Sequence, residues 1–259
     1  MPLVRHKIKR YGWLPDTPDQ RDQLYAATIA HLKKLPPKVD LRPKCPQVIY
    51  DQGDLGSCTG NAIACAIQFD RLKQKRKPDF IPSRLFIYYN ERDMEGTIAS
   101  DSGAQIRDGI KSVAKLGDCP ETEWPYDIAR FATKPSAQCF RDALKYKAVL
   151  YQRVIQTLNQ MKGCLASGYP FVFGFSVYES FETNAVTKSG IVPMPASDEK
   201  ELGGHAVLAV GYDDTQQRFI VRNSWGKSWG MRGYFTMPYA YLTDSNLSDD
   251  LWTIRIITQ

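Results

Sequence analysis

Cys58, His205 and Asn223 are residue types that together can raise and hold a nucleophilic thiolate, and their neighbours in the sequence suit that use. Cys58 follows Ser57, an N-cap type, at the start of a helical pattern. A thiol in the first turn of a helix faces unpaired N–H groups and the positive end of the peptide dipoles, which favour its anion. Alone this is a weak signal, because most cysteines near helix starts are inert. His205 strengthens it: it follows Gly203 and Gly204, opens the apolar run 206–210, and is the only histidine outside the first 37 residues. Paired glycines let another backbone come close. Asn223 ends a short β-branched and aromatic run, and its side chain can accept the imidazole N–H, fixing one tautomer and turning the other nitrogen toward the thiol. Trp225 would shield that hydrogen bond from water. Gln52, six residues before Cys58, can aim its amide at the same place. With the Cys58 N–H it would form an oxyanion hole, in which each donor is worth about 3–4 kcal/mol.

These side chains meet only if the elements carrying them face one another. The pattern predicts helices over 58–72, 83–94, 105–116, 137–146 and 157–167, then strands over 171–177, 205–212, 219–222, 233–237 and 252–257. The first helix is apolar all round and belongs in a core. Helices first and strands second mark an α+β protein with segregated halves, about 38–150 mainly helical and about 151–259 mainly antiparallel β, meeting at a cleft. The loop 178–202 would border that cleft. Residues 1–37 differ from the rest: they hold five prolines, a charged stretch over 15–22 and room for one short helix within 23–35. Such a segment has no core of its own and must lie on the body or stay loose. With Tyr11, Trp13 and Leu14 it could lie as a strap across the cleft.

The residues 52–58 (Gln-Gly-Asp-Leu-Gly-Ser-Cys), 204–207 (Gly-His-Ala-Val), 223–226 (Asn-Ser-Trp-Gly) and 233–235 (Gly-Tyr-Phe) resemble the motifs of papain-like cysteine peptidases. The separation of 147 residues between Cys58 and His205 falls within the roughly 130–150 typical of that family. The match runs in order from about Val39 to the C-terminus. It implies a two-lobe fold, a helical left lobe and an antiparallel sheet or barrel on the right, with the active site between them. It also implies an endopeptidase that hydrolyses amides through a thioester acyl-enzyme. By resemblance Cys58 is the nucleophile, paired as a thiolate with the His205 imidazolium. Asn223 orients the ring, Gln52 donates to the oxyanion, and Ser102, Gly103, Gly204 and Trp225 line the substrate seat. Such an ion pair holds a thiol near a pKa of about 3–4. Leu55 and Thr59 stand where the family has Cys and Trp, and Gly204 where it has Asp. The missing Cys removes a usual disulfide, and Thr59 would open the leaving-group side. Residues 1–37 do not resemble the long helical propeptide of the eukaryotic enzymes; they leave a zymogen-like short segment of the kind expected in a bacterial subgroup.

Composition excludes other classes. With 43% apolar and 24% charged residues the chain is neither disordered nor a coiled coil, and no uncharged apolar run approaches a membrane span. A net charge of +6 is too mild to imply nucleic acid. Arg5, His6, Lys7, Lys9 and Arg10, and then Arg71, Lys73, Lys75, Arg76 and Lys77, read as a solvated tail and a solvated helix end, with an anion or phosphate site as the alternative. The six cysteines show no zinc spacing, so neither metal nor cofactor is expected; Cys119 and Cys139 flank a proline-rich loop that a disulfide could close. No signal core opens the chain, which gives a cytoplasmic monomer as the default expectation. A peptide or protein is the expected substrate. An acyltransferase or transglutaminase-like enzyme using the same groups, a catalytically silent peptide binder and a redox-sensing thiol are the competing readings.

Overall fold

The computed structural model describes residues 11–258. In chain order the elements are β1 (Trp13–Leu14), β2 (Leu24–Tyr25), α1 (Ile29–Leu32), β3 (Lys38–Asp40), α2 (Cys58–Lys73), α3 (Arg84–Glu95), β4 (Ala104–Gln105), α4 (Ile106–Leu116), α5 (Ala137–Ala143), β5 (Ala148–Val154), α6 (Leu158–Ala166), β6 (Phe171–Tyr178), α7 (Asn184–Ser189), β7 (Glu201–Asp213), β8 (Arg218–Arg222), β9 (Tyr234–Pro238), α8 (Tyr239–Thr243) and β10 (Ser248–Ile257). The central helix α2 is buried along nearly its whole length, as its apolar circumference requires. Local chemistry sets the ends of its neighbours. Ser83 caps α3 by accepting the Phe86 N–H at 3.1 Å, and Gly96, at φ 72°, ends it. Thr157 caps α6 in the same way through the Gln160 N–H.

The sheet runs β2-β5-β10-β6-β7-β8-β9, with β3 on β7. It is open and mixed, because β2 pairs with β5 in parallel; neither a closed barrel nor a purely antiparallel sheet forms. The reason lies in the segment before residue 38, which lends a strand to each side: β2 to the main sheet and β1, in parallel, to β4 beside α4. One large core joins α2 to the sheet through Ile63, Ile67, Phe69, Phe173, Val207 and Trp252. A smaller cluster under α3 holds Leu85, Phe86, Cys119, Trp124 and Cys139.

Three expectations need correcting here. Ser57 does not cap α2; its Oγ lies 2.5 Å from the Tyr126 hydroxyl and receives the Asn61 amide instead. The helix expected within 23–35 shrinks to the four residues of α1. Arg71 is not part of a solvated helix end: it is fully buried, lies over the rings of Phe80 and Tyr146, and donates to the Pro78 carbonyl at 2.7 Å. The other basic cluster, at residues 5–10, lies outside the described residues. No described helix is long and apolar enough to cross a membrane.

Candidate active site

α2 brings Cys58 to the boundary between helices and sheet, and β7 brings His205 to the same boundary. The backbone of Ala206, the residue after His205, lies close enough to the Cys58 thiol to pull its pKa down, so thiol and imidazole come from opposite halves of the chain to one place. His205 Nε2 lies 2.9 Å from Asn223 Oδ1. The Ser224 N–H donates to that same Oδ1 at 2.8 Å, which identifies the atom as the oxygen, makes Nε2 the donor and leaves Nδ1 for the thiol side. Trp225 stacks on the His205 ring at 4.8 Å between centroids. Behind it Phe181, Trp229 and Phe235 pack edge-on, holding the indole against the His205 ring.

Gln52 is fully buried beside this group. Its Oε1 accepts the Ser224 hydroxyl at 2.7 Å and its Nε2 donates to the Leu55 carbonyl at 3.0 Å. One N–H of the amide is thereby held in place and the other is left to point elsewhere. Tyr126 ties this corner down by donating to the Gln52 carbonyl at 2.9 Å. Its sequence signal was nil, since an isolated tyrosine in a loop predicts no partner.

The cleft is filled by the chain's own residues 11–14. The Gly12 backbone lies close enough to the Cys58 thiol to pull its pKa down. The Gly12 carbonyl accepts the Ala104 N–H at 2.8 Å. Gly103, at φ 75°, has no room for a side chain: a Cβ there would sit 2.4 Å from the Gly12 oxygen. On the opposite wall a Cβ on Gly204 would meet the Trp13 carbonyl at 2.5 Å, and one on Gly174 would meet the indole at 2.0 Å. Tyr11 approaches both His205 and Trp225. The predicted seat residues Gly103, Gly204 and Trp225 therefore contact this segment, whereas the Ser102 hydroxyl only turns back to the Gly103 carbonyl.

Two carboxylates anchor the segment. Trp13 Nε1 and the Asp16 N–H both donate to Asp250 Oδ2, at 3.0 and 2.7 Å. Asp16 in turn accepts from the Arg107 N–H and from Trp252 Nε1, at 3.0 and 2.8 Å. Burial, reinforced by the negative charge of Asp16, pushes the Asp250 carboxyl up to about 7. Burial also pushes the Asp16 carboxyl above its ordinary value, against the Arg107 backbone and Trp252 hydrogen bonds.

The thiol differs from expectation. Burial pushes Cys58 up to about 12, outweighing the backbone hydrogen bonds of Ala206 and Gly12. With the cleft filled, a neutral thiol and not a thiolate is the stable form. Thr59 does not open the leaving-group side either. It is fully buried, and its hydroxyl donates to Glu91 Oε1 at 2.5 Å. Glu91 is itself buried, which raises its carboxyl well above the usual range.

Residues 35–250 match the model of the papain family of cysteine proteases. The chain belongs to the papain family. Its fold superposes on the crystal structure of xylellain, a cysteine protease from Xylella fastidiosa, with a TM-score of 0.90 and 49% identity over 98% of each chain. It is 45% identical, over 96% of its length and 88% of the relative's, to an uncharacterized peptidase C1-like protein of Acanthamoeba polyphaga mimivirus. A cathepsin B-like protein, CP2, of Giardia intestinalis is 26% identical over 81% of this chain and 71% of its own. The protein is thus a papain-like cysteine peptidase whose substrates are peptides or proteins. The likeness that the residues around Cys58, His205 and Asn223 carry holds over the whole described fold.

Proposed function

We propose that this papain-family peptidase cleaves through Cys58 and that its own residues 11–25 hold it inactive. His205 takes the thiol proton, Asn223 keeps the ring turned, and the Cys58 sulfur attacks the substrate carbonyl; the C–N bond breaks as His205 passes the proton to the departing amine, and water then hydrolyses the thioester to release the acid and restore the thiol. The Gln52 amide and the Cys58 N–H receive the negative charge that develops on the carbonyl oxygen. Gly103, Gly204 and Trp225 line the seat of an extended peptide. Within the segment 1–37, residues 11–25 act as a strap over the catalytic body, 38–259.

The observation that carries this reading is the occupant of the cleft. An extended backbone already lies between Gly103 and Gly204 with Gly12 at the sulfur; a groove that holds one peptide this way is shaped to hold another. The same occupant explains why burial keeps the thiol neutral. Leaving of the strap re-admits water, lowers the desolvation penalty and lets Cys58 and His205 exchange a proton.

Treatment of wild type and Cys58→Ala with a thiol-directed epoxide tests the nucleophile: label is expected on Cys58 alone. Product analysis of a small peptide substrate, with and without an added amine, separates hydrolysis from acyl transfer. Predominant aminolysis at modest amine concentrations would move the assignment to an acyltransferase, and label on another cysteine would remove Cys58 from its role.

A further inference from the structure

We propose that Cys119, Glu123 and Cys139 form a site for a thiophilic divalent metal, zinc above all, which clamps the loop supporting the nucleophile corner. The three donor atoms lie within 4.8 Å of one another, from Cys119 after α4, Glu123 in the following turn and Cys139 in α5. Tetrahedral zinc with Zn–S near 2.3 Å sets two sulfurs about 3.8 Å apart. Closing the trio onto an ion therefore needs a contraction of about 1 Å at most between the sulfurs and about 1.3 Å at most between sulfur and carboxylate oxygen, within side-chain freedom. Two thiols and a carboxylate are a donor set that selects zinc over magnesium or calcium.

Both cysteines are buried free thiols, while Glu123 is exposed. The soft donors thus face inward and the hard donor stands at the mouth, where a water can complete four-fold coordination. Lys145, the cation acting on Glu123, is itself held by Asp142 at 2.6 Å. The backbones that carry the donors are fixed: the Cys119 carbonyl accepts the Ser83 N–H at 2.9 Å, and the Ser83 hydroxyl donates to the Trp124 carbonyl at 2.7 Å. Ser136 Oγ lies 3.1 Å from Cys139 Sγ and stands ready as a neighbour of the bound thiolate. Binding releases the two thiol protons to solvent.

The site matters because of what lies between its ligands. The loop 119–139 carries Tyr126, whose hydroxyl meets the Gln52 carbonyl and Ser57 Oγ in the segment that leads into the nucleophile. A metal joining both ends of the loop holds that hydroxyl in place without touching the cleft. The separations 119, 123 and 139 match no Cys/His pattern, so the sequence shows nothing of it.

The test uses full-length, reduced Cys58→Ala protein, which removes the thiol of the cleft as a competitor. After equilibration with zinc and exhaustive dialysis, one zinc per chain is expected, with a higher melting temperature. Cobalt in its place is expected to give sulfur-to-metal charge-transfer absorption. Cys139→Ser should abolish both signals. Glu123→Gln, at an exposed position that leaves the fold intact, should weaken zinc by about tenfold or more. Failure of the reduced protein to retain zinc, retention untouched by either substitution, or a Cys119–Cys139 disulfide in protein trapped with alkylating agent at lysis would each overturn the proposal.

Discussion

Trp13→Ala should release the strap. The indole is 8% exposed, fills the hollow against Gly174 and donates to Asp250 at 3.0 Å. Truncating a buried Trp to Ala costs about 3–5 kcal/mol, from lost burial and an incompletely collapsing cavity. Nearly all of that cost falls on the docked state, because an undocked strap leaves the side chain in water. At about 1.4 kcal/mol per factor of ten, the fraction of molecules with an open cleft rises by two to three orders of magnitude. The readout is the rate of epoxide labelling at Cys58, followed by mass spectrometry, with turnover of a small fluorogenic peptide in parallel. Both should climb about a hundredfold or more until opening no longer limits them. Leu14→Ala is the control: the same strand, but a side chain 40% exposed, so little change is expected. A folded Trp13→Ala protein with the wild-type melting profile and an unchanged labelling rate would refute strap control of the cleft.

The remaining predictions concern charge and geometry around the same elements. Asp250 has a docked pKa of about 7, set by burial and by Asp16, with Asp249, Arg107 and Arg153 also facing the cluster. An undocked aspartate titrates near about 4. Docking is therefore fully favoured below that value and weakens as pH rises toward 7. The labelling rate of wild type divided by that of Asp250→Asn, in which thiol ionisation cancels, should grow more than about tenfold from pH 5 to pH 8; a flat ratio would dismiss the carboxylate latch. Asn223→Ala removes the acceptor of the His205 N–H and should lower kcat about tenfold, with KM nearly unchanged, for a hydrogen bond worth about 1–1.5 kcal/mol. Burial raises the Glu91 carboxyl above its ordinary value, so its contribution to stability is fully present below the unfolded value and is lost as pH rises above it. Glu91→Gln should accordingly flatten the fall of the melting temperature as pH rises above about 4.3, where the unfolded glutamate ionises.

What could be read from the residues was the part fixed by strong periodicity and by rare residue types. An all-apolar helix after Cys58 had to enter the core, and a strand opened by Gly203, Gly204 and His205 had to approach another backbone closely. Asn223 beside Trp225 had a use only next to a ring. The strap left no comparable mark: β1 and β2 are two residues long, below any period, and their pairing with β4 and β5 is purely tertiary. The same holds for Thr59 and Ser57, whose hydroxyls turn to Glu91 and Tyr126, partners that local sequence cannot nominate. The thiol of Cys58 joins both cases. Its position follows from the helix that carries it, but its raised pKa follows from burial, against the opposing pull of the Ala206 and Gly12 backbones, and Gly12 lies 46 residues away in the chain. With the strap acting as proposed, reactivity is a property of two states of one fold. The residues around Cys58 specify the open one and Trp13, Asp16 and Asp250 the closed one, so substitutions in the two sets should act independently: on the rate of chemistry in the first, on the population able to react in the second.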